Sequence, residues 1–243
     1  MERPEYERMA AAEDTMWWYR ALHDRLIELL GRLQLAPGAR ILDAGCGTGG
    51  LLRRLAQFES TLERVGLEYD PGAVGIASGK ARAPVVLGTV NALPFPGDHF
   101  DAVISADVLC HADVDEEAAL SEFRRCLKPG GSLLLNLPAY DWMKSSHDQR
   151  VHNVRRYTTA RARHLAKRAG FRVAGLGYWN SLLFPLMLLH RLSRRRRAES
   201  DVQAFPAWQD SLFYATAAFE RRLARSGVRL PFGGSVWVWA VKS

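Results

Sequence analysis

The chain has 243 residues, 48% of them hydrophobic and 24% charged, with a formal net charge of +7 at pH 7. That length and apolar share allow one sizeable α/β core and exclude a disordered chain. Cys46, Cys110 and Cys126 form no closely spaced pair, which excludes a disulfide framework or zinc cluster and points to a reducing, cytoplasmic setting. The start, Met1-Glu2-Arg3-Pro4-Glu5, is charged and lacks the apolar core of a signal peptide.

Residues 1–36 read as a helical cap, with an amphipathic segment from Trp17 to Leu33. Short apolar runs then predict strands near 39–44, 63–68, 84–88, 100–105 and 131–137, with helices between them. Asp113 or Asp115 caps the helix that ends at Leu127, and Thr158 or Thr159 caps one near 158–169. A strand at 171–179 follows, and Val236-Trp237-Val238-Trp239-Ala240-Val241 forms the last. The expected organisation is a single domain: a cap over 1–36, a core over 37–179, a lid or insertion over 180–232 and a final strand over 233–243.

The most informative run is Leu42-Asp43-Ala44-Gly45-Cys46-Gly47-Thr48-Gly49-Gly50. It leaves a buried strand, breaks into glycines and resumes as a helix at Leu51, a strand–turn–helix unit at the ligand edge of a doubly wound sheet. Glycine there lets a ligand lie against the backbone. A carboxylate, Glu68, closes the next strand about 20 residues on, where a nucleoside-binding fold needs an acid for ribose hydroxyls. With Leu93-Pro94-Phe95-Pro96, Phe100-Asp101-Ala102-Val103-Ile104-Ser105 and Leu127-Lys128-Pro129-Gly130-Gly131, the D-x-G-C-G-T-G run resembles the ordered motifs of class I S-adenosylmethionine (SAM) methyltransferases.

That resemblance implies a Rossmann-like doubly wound sheet of seven strands with the last antiparallel, and SAM as cofactor. Asp43 then holds either the glycine turn or the methionine amino group, and Gly45, Cys46 and Gly47 line the backbone approach. Glu68 takes the ribose diol and Tyr69 packs on adenine. Many relatives carry Gly-Asp-Ala before the LPF segment, whereas this chain has Gly88-Thr89-Val90-Asn91. The adenine contact therefore falls to Thr89, the Asn91 amide or the backbone N–H of Val90. Ala106, after strand four, completes the cofactor set. In the cap, Arg20 is expected to meet the methionine carboxylate. Trp17, Trp18 and Tyr19 diverge by about 100° per residue, so at least one should cover the cofactor or acceptor cleft.

Ser105-Ala106-Asp107-Val108 is not the Asn/Asp-Pro-Pro-Tyr of exocyclic amine methylation, and there is no Pro-Cys nucleophile. Methyl transfer from a sulfonium needs alignment and, for a hydroxyl acceptor, a nearby base. Two stretches offer one: Asp107 to His111 after strand four, and Trp142 to Thr158 after strand five. Histidine titrates near neutrality, so His147 is the first candidate, oriented by Asp148 or Asp107, with His152 and His111 behind it. His147, Asp148 and His152 match no known metal spacing, and no metal is expected.

Charge is uneven. From Arg150 to Arg197 there is no acid and there are 13 basic residues, leaving 20 basic against 26 acidic elsewhere. Leu182 to Leu189 is apolar, too short and Pro-interrupted to span a bilayer, and Arg194 to Arg197 follow it. This pairing fits an anionic membrane surface or, equally, an acceptor lid with solvated arginines. The expected acceptor is a small or lipid-like molecule methylated at oxygen, with nitrogen or carbon as alternatives. Nucleic acid is disfavoured because the block lacks stacking aromatics. A SAM-binding partner subunit without transferase activity is the third reading.

Overall fold

The computed structural model describes residues 3–193 and 205–243. Its sheet contains β1 (Arg40–Ala44), β2 (Glu63–Glu68), β3 (Val85–Leu87), β4 (Phe100–Ala106), β5 (Leu127–Pro138), β6 (Phe171–Trp179) and β7 (Ser235–Lys242). Their order is β3-β2-β1-β4-β5-β7-β6. β1 pairs in parallel with β2 and β4, and β4 with β5, while β7 runs antiparallel to both β5 and β6. The expected seven-stranded sheet with an antiparallel last strand is therefore present. β1 lies at the switch point, where its neighbours come from opposite directions along the chain and the crevice beyond its end receives ligands.

The central strands read as unbroken apolar runs because helices cover both faces of a parallel sheet. On one face Ile41, Ile104 and Leu134 pack with α2 (Trp17–Gly31), α3 (Gly50–Phe58) and α9 (Ala207–Arg225). On the other, Leu42, Val103 and Leu133 pack with α5 (Glu116–Cys126) and α7 (Thr159–Arg168). The remaining helices are α1 (Arg3–Ala12), α4 (Pro71–Ala81), α6 (Ser146–Arg150) and α8 (Phe184–Ser193).

Local chemistry sets the helix starts. Asp115, one of the two residues expected, caps α5 by accepting from the N–H groups of Glu117 (2.9 Å) and Ala118 (3.1 Å). Glu116 and Glu117 sit in its first turn and Arg124 and Arg125 in its last, matching the helix dipole. Thr158 caps α7. β5 begins at Leu127 rather than 131, because Leu127 already pairs with Phe100 before the register shifts to Ala102 and Ser132.

Candidate cofactor and acceptor site

The turn after β1 carries three left-handed glycines, Gly45 (φ 88°), Gly47 (φ 56°) and Gly49 (φ 87°). Gly45 and Cys46 donate to the carbonyl of Leu67, which ties the turn to the end of β2. A Cβ on Gly45 would lie 2.3 Å from Val108 Cγ2, and one on Gly47 2.7 Å from Met9 Cε. Protein atoms thus fill the space expected to let a ligand approach these glycines. Cys46 is buried, with burial pushing its thiol up.

Glu68 is buried at the end of β2 and is already engaged. Its Oε2 accepts from Gly47 N (2.9 Å), and its Oε1 accepts from Tyr6 Oη (2.9 Å) and Asp70 N (3.1 Å). Glu13, just beyond α1, is also buried, accepting from the Thr48 hydroxyl, from Gly50 N at 3.2 Å and from Lys80 Nζ at 2.5 Å. Asp43 is wholly buried beside them. Burial, with the charges of Glu68 and Glu13, pushes its carboxyl up to about 8. Three acidic residues therefore gather at the glycine turn, with Glu13 paired to Lys80 and Asp43 holding its proton.

The adenine side differs from expectation. Asn91 is spent on the neighbouring loop: its Nδ2 donates to the Asp113 carbonyl (2.9 Å) and its Oδ1 accepts from Asp115 N (3.0 Å). Thr89 Oγ1 accepts from Asn91 N (3.2 Å), and Val90 is buried in the core. Tyr69 is 72% exposed just beyond Glu68. Arg20 does not turn toward the glycines. It reaches Asp210 at 3.4 Å and lies 3.8 Å from the ring centroid of Tyr214, both on α9, because α2 packs its apolar stripe against that helix. Trp17 packs on Phe213 of the same helix, whereas Trp18 stacks on Trp179 at the end of β6 at 5.0 Å.

Past β4, Ala106 packs on the core, and Asp107 sits half-buried with φ 55°. Both its oxygens accept from Asn136 Nδ2, at 2.9 and 3.0 Å. Asn136 Oδ1 in turn accepts from Trp179 Nε1 at 2.7 Å. Three strand ends thereby hold one carboxylate beside the glycine turn, since Val108 is the residue that touches Gly45. Burial pushes the Asp107 carboxyl up to about 7, against the pull of the Asn136 hydrogen bond.

The two stretches expected to offer a base form one wall. His111 bridges to Asn153, Ala112 N donates to the His152 carbonyl (2.9 Å), and Tyr157 Oη donates to the Leu109 carbonyl (2.9 Å). His111 Nδ1 donates to the Val151 carbonyl at 2.7 Å, and burial lowers the ring to about 4. That ring is neutral and weakly basic at physiological pH. His152 is exposed at φ 56°. The His147 side chain lies outside the described residues. Asp148 is buried against Arg156, whose Nε and Nη2 donate to its two oxygens at 3.0 Å each. Among the described residues no three His, Cys, Asp or Glu side chains gather as metal ligands.

Part of the basic stretch is paired within the fold. Arg155 and Arg161 pair with Glu116, Arg168 with Glu117 and Arg156 with Asp148. Arg194 to Arg197 lie outside the described residues. Beside β5 and β6 the surface is aromatic instead. Tyr140 stacks on Trp142 and Tyr178, Trp142 meets Phe184, and Phe184 meets Phe232.

Tyr6, Glu13, Asn136 and Trp179 were not singled out by the sequence. Asn136 alone left a signal, as a polar residue ending the apolar run Leu133-Leu134-Leu135.

Comparison with known proteins supports the same frame. Residues 42–135 match the family model for a methyltransferase domain. The chain is 35% identical over 122 residues to sterol 24-C-methyltransferase of Gibberella zeae, covering 47% of this chain and 30% of that enzyme. It is 32% identical over 123 residues to the ubiquinone/menaquinone biosynthesis C-methyltransferase of Shewanella halifaxensis, covering 46% and 49% respectively. The chain thus spans half or less of the curated relatives it matches. In structure it resembles geranyl diphosphate methyltransferase bound to geranyl diphosphate and sinefungin, with a TM-score of 0.65, 16% identity, and coverage of 93% of this chain and 79% of that one. Sheet order and the glycine turn with its strand-end acid accompany the family match: residues 42–135 are similar to a methyltransferase domain, and the resemblance supports a class I SAM-dependent methyltransferase.

Proposed function

We propose that the chain transfers a methyl group from SAM to an apolar, lipid-like or small-molecule acceptor, and that Asp107 receives the proton the acceptor loses. The observation that carries this reading is the half-buried Asp107, held by Asn136 and Trp179 at the end of β4, next to the residue that packs on the glycine turn. The cofactor's residues fit: Glu68 has the geometry to accept from ribose hydroxyls, the Gly45–Gly47 backbone lies alongside, and Glu68 and Glu13 supply negative charge opposite a sulfonium and an ammonium. When bound, SAM supplies an electrophilic methyl group. The chain's own residues then align the acceptor, exclude water and hold the proton at Asp107, whose raised carboxyl suits a base working near neutrality. Backbone N–H of Val90 and the Thr89 hydroxyl are the remaining candidates for adenine.

An oxygen and a carbon acceptor both need such a base. We place carbon first, because both sequence relatives are named as C-methyltransferases. The aromatic wall of Tyr140, Trp142, Tyr178 and Phe184 favours an apolar acceptor, and an anionic membrane is the natural reservoir for one. Nucleic acid is less well supported, since the basic stretch spends Arg155, Arg156, Arg161 and Arg168 on acids of the same chain.

The test is label transfer from methyl-labelled SAM into a panel of quinols, sterols, prenyl diphosphates and RNA. Label in the organic phase is expected. Label entering RNA alone would overturn the reading, and cofactor binding with no transfer to any of them would favour the partner-subunit reading.

A further inference from the structure

Helix α1 lies across the groups that the proposed cofactor would use. Tyr6 Oη donates to Glu68 Oε1 at 2.9 Å, the carboxylate read above as the ribose acceptor. Met9 Cε lies 2.7 Å from where a Cβ of Gly47 would be. Beyond the helix, Glu13 takes the Thr48 hydroxyl and the Gly50 N–H at the start of α3. These contacts are fastened from the far side, where Lys80 Nζ donates to the Ala10 carbonyl at 3.1 Å as well as to Glu13, and Arg53 pairs with Asp14 at 2.7 Å. Donors and acceptors at a helix start and glycine turn are what a bound nucleoside exploits. Here the chain satisfies them itself, with a phenol hydroxyl standing in for a ribose hydroxyl.

We infer that α1 is a gate whose docked form competes with the cofactor, Tyr6 occupying the ribose acceptor until cofactor displaces it. This rests on the cofactor reading of Glu68 and deepens it. The apparent affinity of a site is reduced by the fraction of molecules in which it is closed. Weakening the docked form without touching Glu68 or the glycines therefore raises affinity. A hydrogen bond to a carboxylate is worth enough that its loss shifts the open fraction by about tenfold.

S-adenosylhomocysteine binding is measured by calorimetry for the wild type, Tyr6→Phe and Met9→Ala, with hydrogen exchange across residues 3–12 in each. Tyr6→Phe keeps the ring and loses only the hydroxyl, and Met9→Ala loosens the helix by a separate contact. Both are expected to bind about tenfold tighter, and ligand is expected to speed exchange of α1 amides in the wild type. Weaker binding by Tyr6→Phe would make Tyr6 a direct cofactor contact and overturn the gate. Unchanged affinity in both variants would overturn it too. If the wild type and both variants fail to bind S-adenosylhomocysteine while α1 amides stay protected, the cofactor reading itself falls.

Discussion

Asp107 and Asp43 are carboxylates that burial keeps protonated far above the ordinary range, and their titrations have opposite readouts. Asp107 is pushed up to about 7. If it receives the acceptor's proton, it works only when ionised, so turnover should rise with pH to about 7 and then level. Asp107→Asn should remove that limb and lower kcat by roughly 10²- to 10⁴-fold, with cofactor affinity nearly unchanged. A variant that keeps the wild-type pH profile would place the base elsewhere, with His152 next to be tested. Asp43, pushed up to about 8 by burial and by Glu68 and Glu13, reports on stability. Its folded pKa exceeds its unfolded one, so the folded state retains a proton that the unfolded state releases. Stability from this group is therefore fully present below about pH 4 and is lost as pH rises toward 8. Thermal melts should show Asp43→Asn gaining on the wild type steadily from pH 5 to pH 8. A constant gap would mean that Asp43 is ionised throughout that window.

At the scale of elements, the connection from β5 to α7 is held by a buried ion pair as well as by apolar packing of Met143, Val151 and Tyr157. Arg156 is 6% exposed and Asp148 2%. Arg156 also donates to the Ala139 carbonyl at 3.0 Å, and Asp148 accepts from Ser145 N at 2.7 Å. Removing one partner leaves the other charge buried and alone, which costs about 3–5 kcal/mol. Asp148→Ala should therefore lower denaturant-measured stability by that amount, whereas Glu117→Ala, whose exposed pair with Arg168 is weak, should change it by under about 1 kcal/mol. Equal losses would mean the buried pair contributes no more than a surface one. This pair also marks how far the sequence could be read. The strands, the glycine turn and the strand-end acid Glu68 were legible because a turn that receives a ligand is written in consecutive residues. The caps Asp115 and Thr158 were legible for the same reason. Tyr6 and Glu68 are 62 positions apart, and Asn136 and Trp179 are 43 apart, so their meeting depends on packing that no local pattern encodes. Of the histidines offered as bases, burial lowers His111 to about 4, a shift that its position in the sequence does not announce. Asp148 and Arg156 are only eight residues apart, yet the dense charge of that loop offered several pairings of equal appeal.

Across the whole molecule, the described surface around the start of α8 is apolar. Leu182, Leu186 and Leu189 are 40%, 48% and 64% exposed; Leu186 and Leu189, three residues apart, share one side of α8, and Leu182 lies just before it. Trp142 at 61% and Phe232 at 39% join them through ring contacts with Phe184. Clustered exposed apolar side chains of this size mark a site for a membrane or an apolar ligand. Among the described residues no helix is long and apolar enough to cross a bilayer, so any membrane contact made by this face is an edge resting in the interface. The sequence that follows α8 adds Arg194 to Arg197, and each cation near an anionic leaflet contributes about 1 kcal/mol, screened by salt. The two contributions separate experimentally. In liposome flotation at low salt, binding should require anionic lipid and weaken with salt, and serine at the four arginines should reduce it. Leu186→Ser with Leu189→Ser should reduce it as well, while leaving transfer to a short, water-soluble acceptor analogue intact. If the leucine variants float like the wild type but lose transfer to that analogue, the apolar face serves as the acceptor's lid and not as a membrane contact.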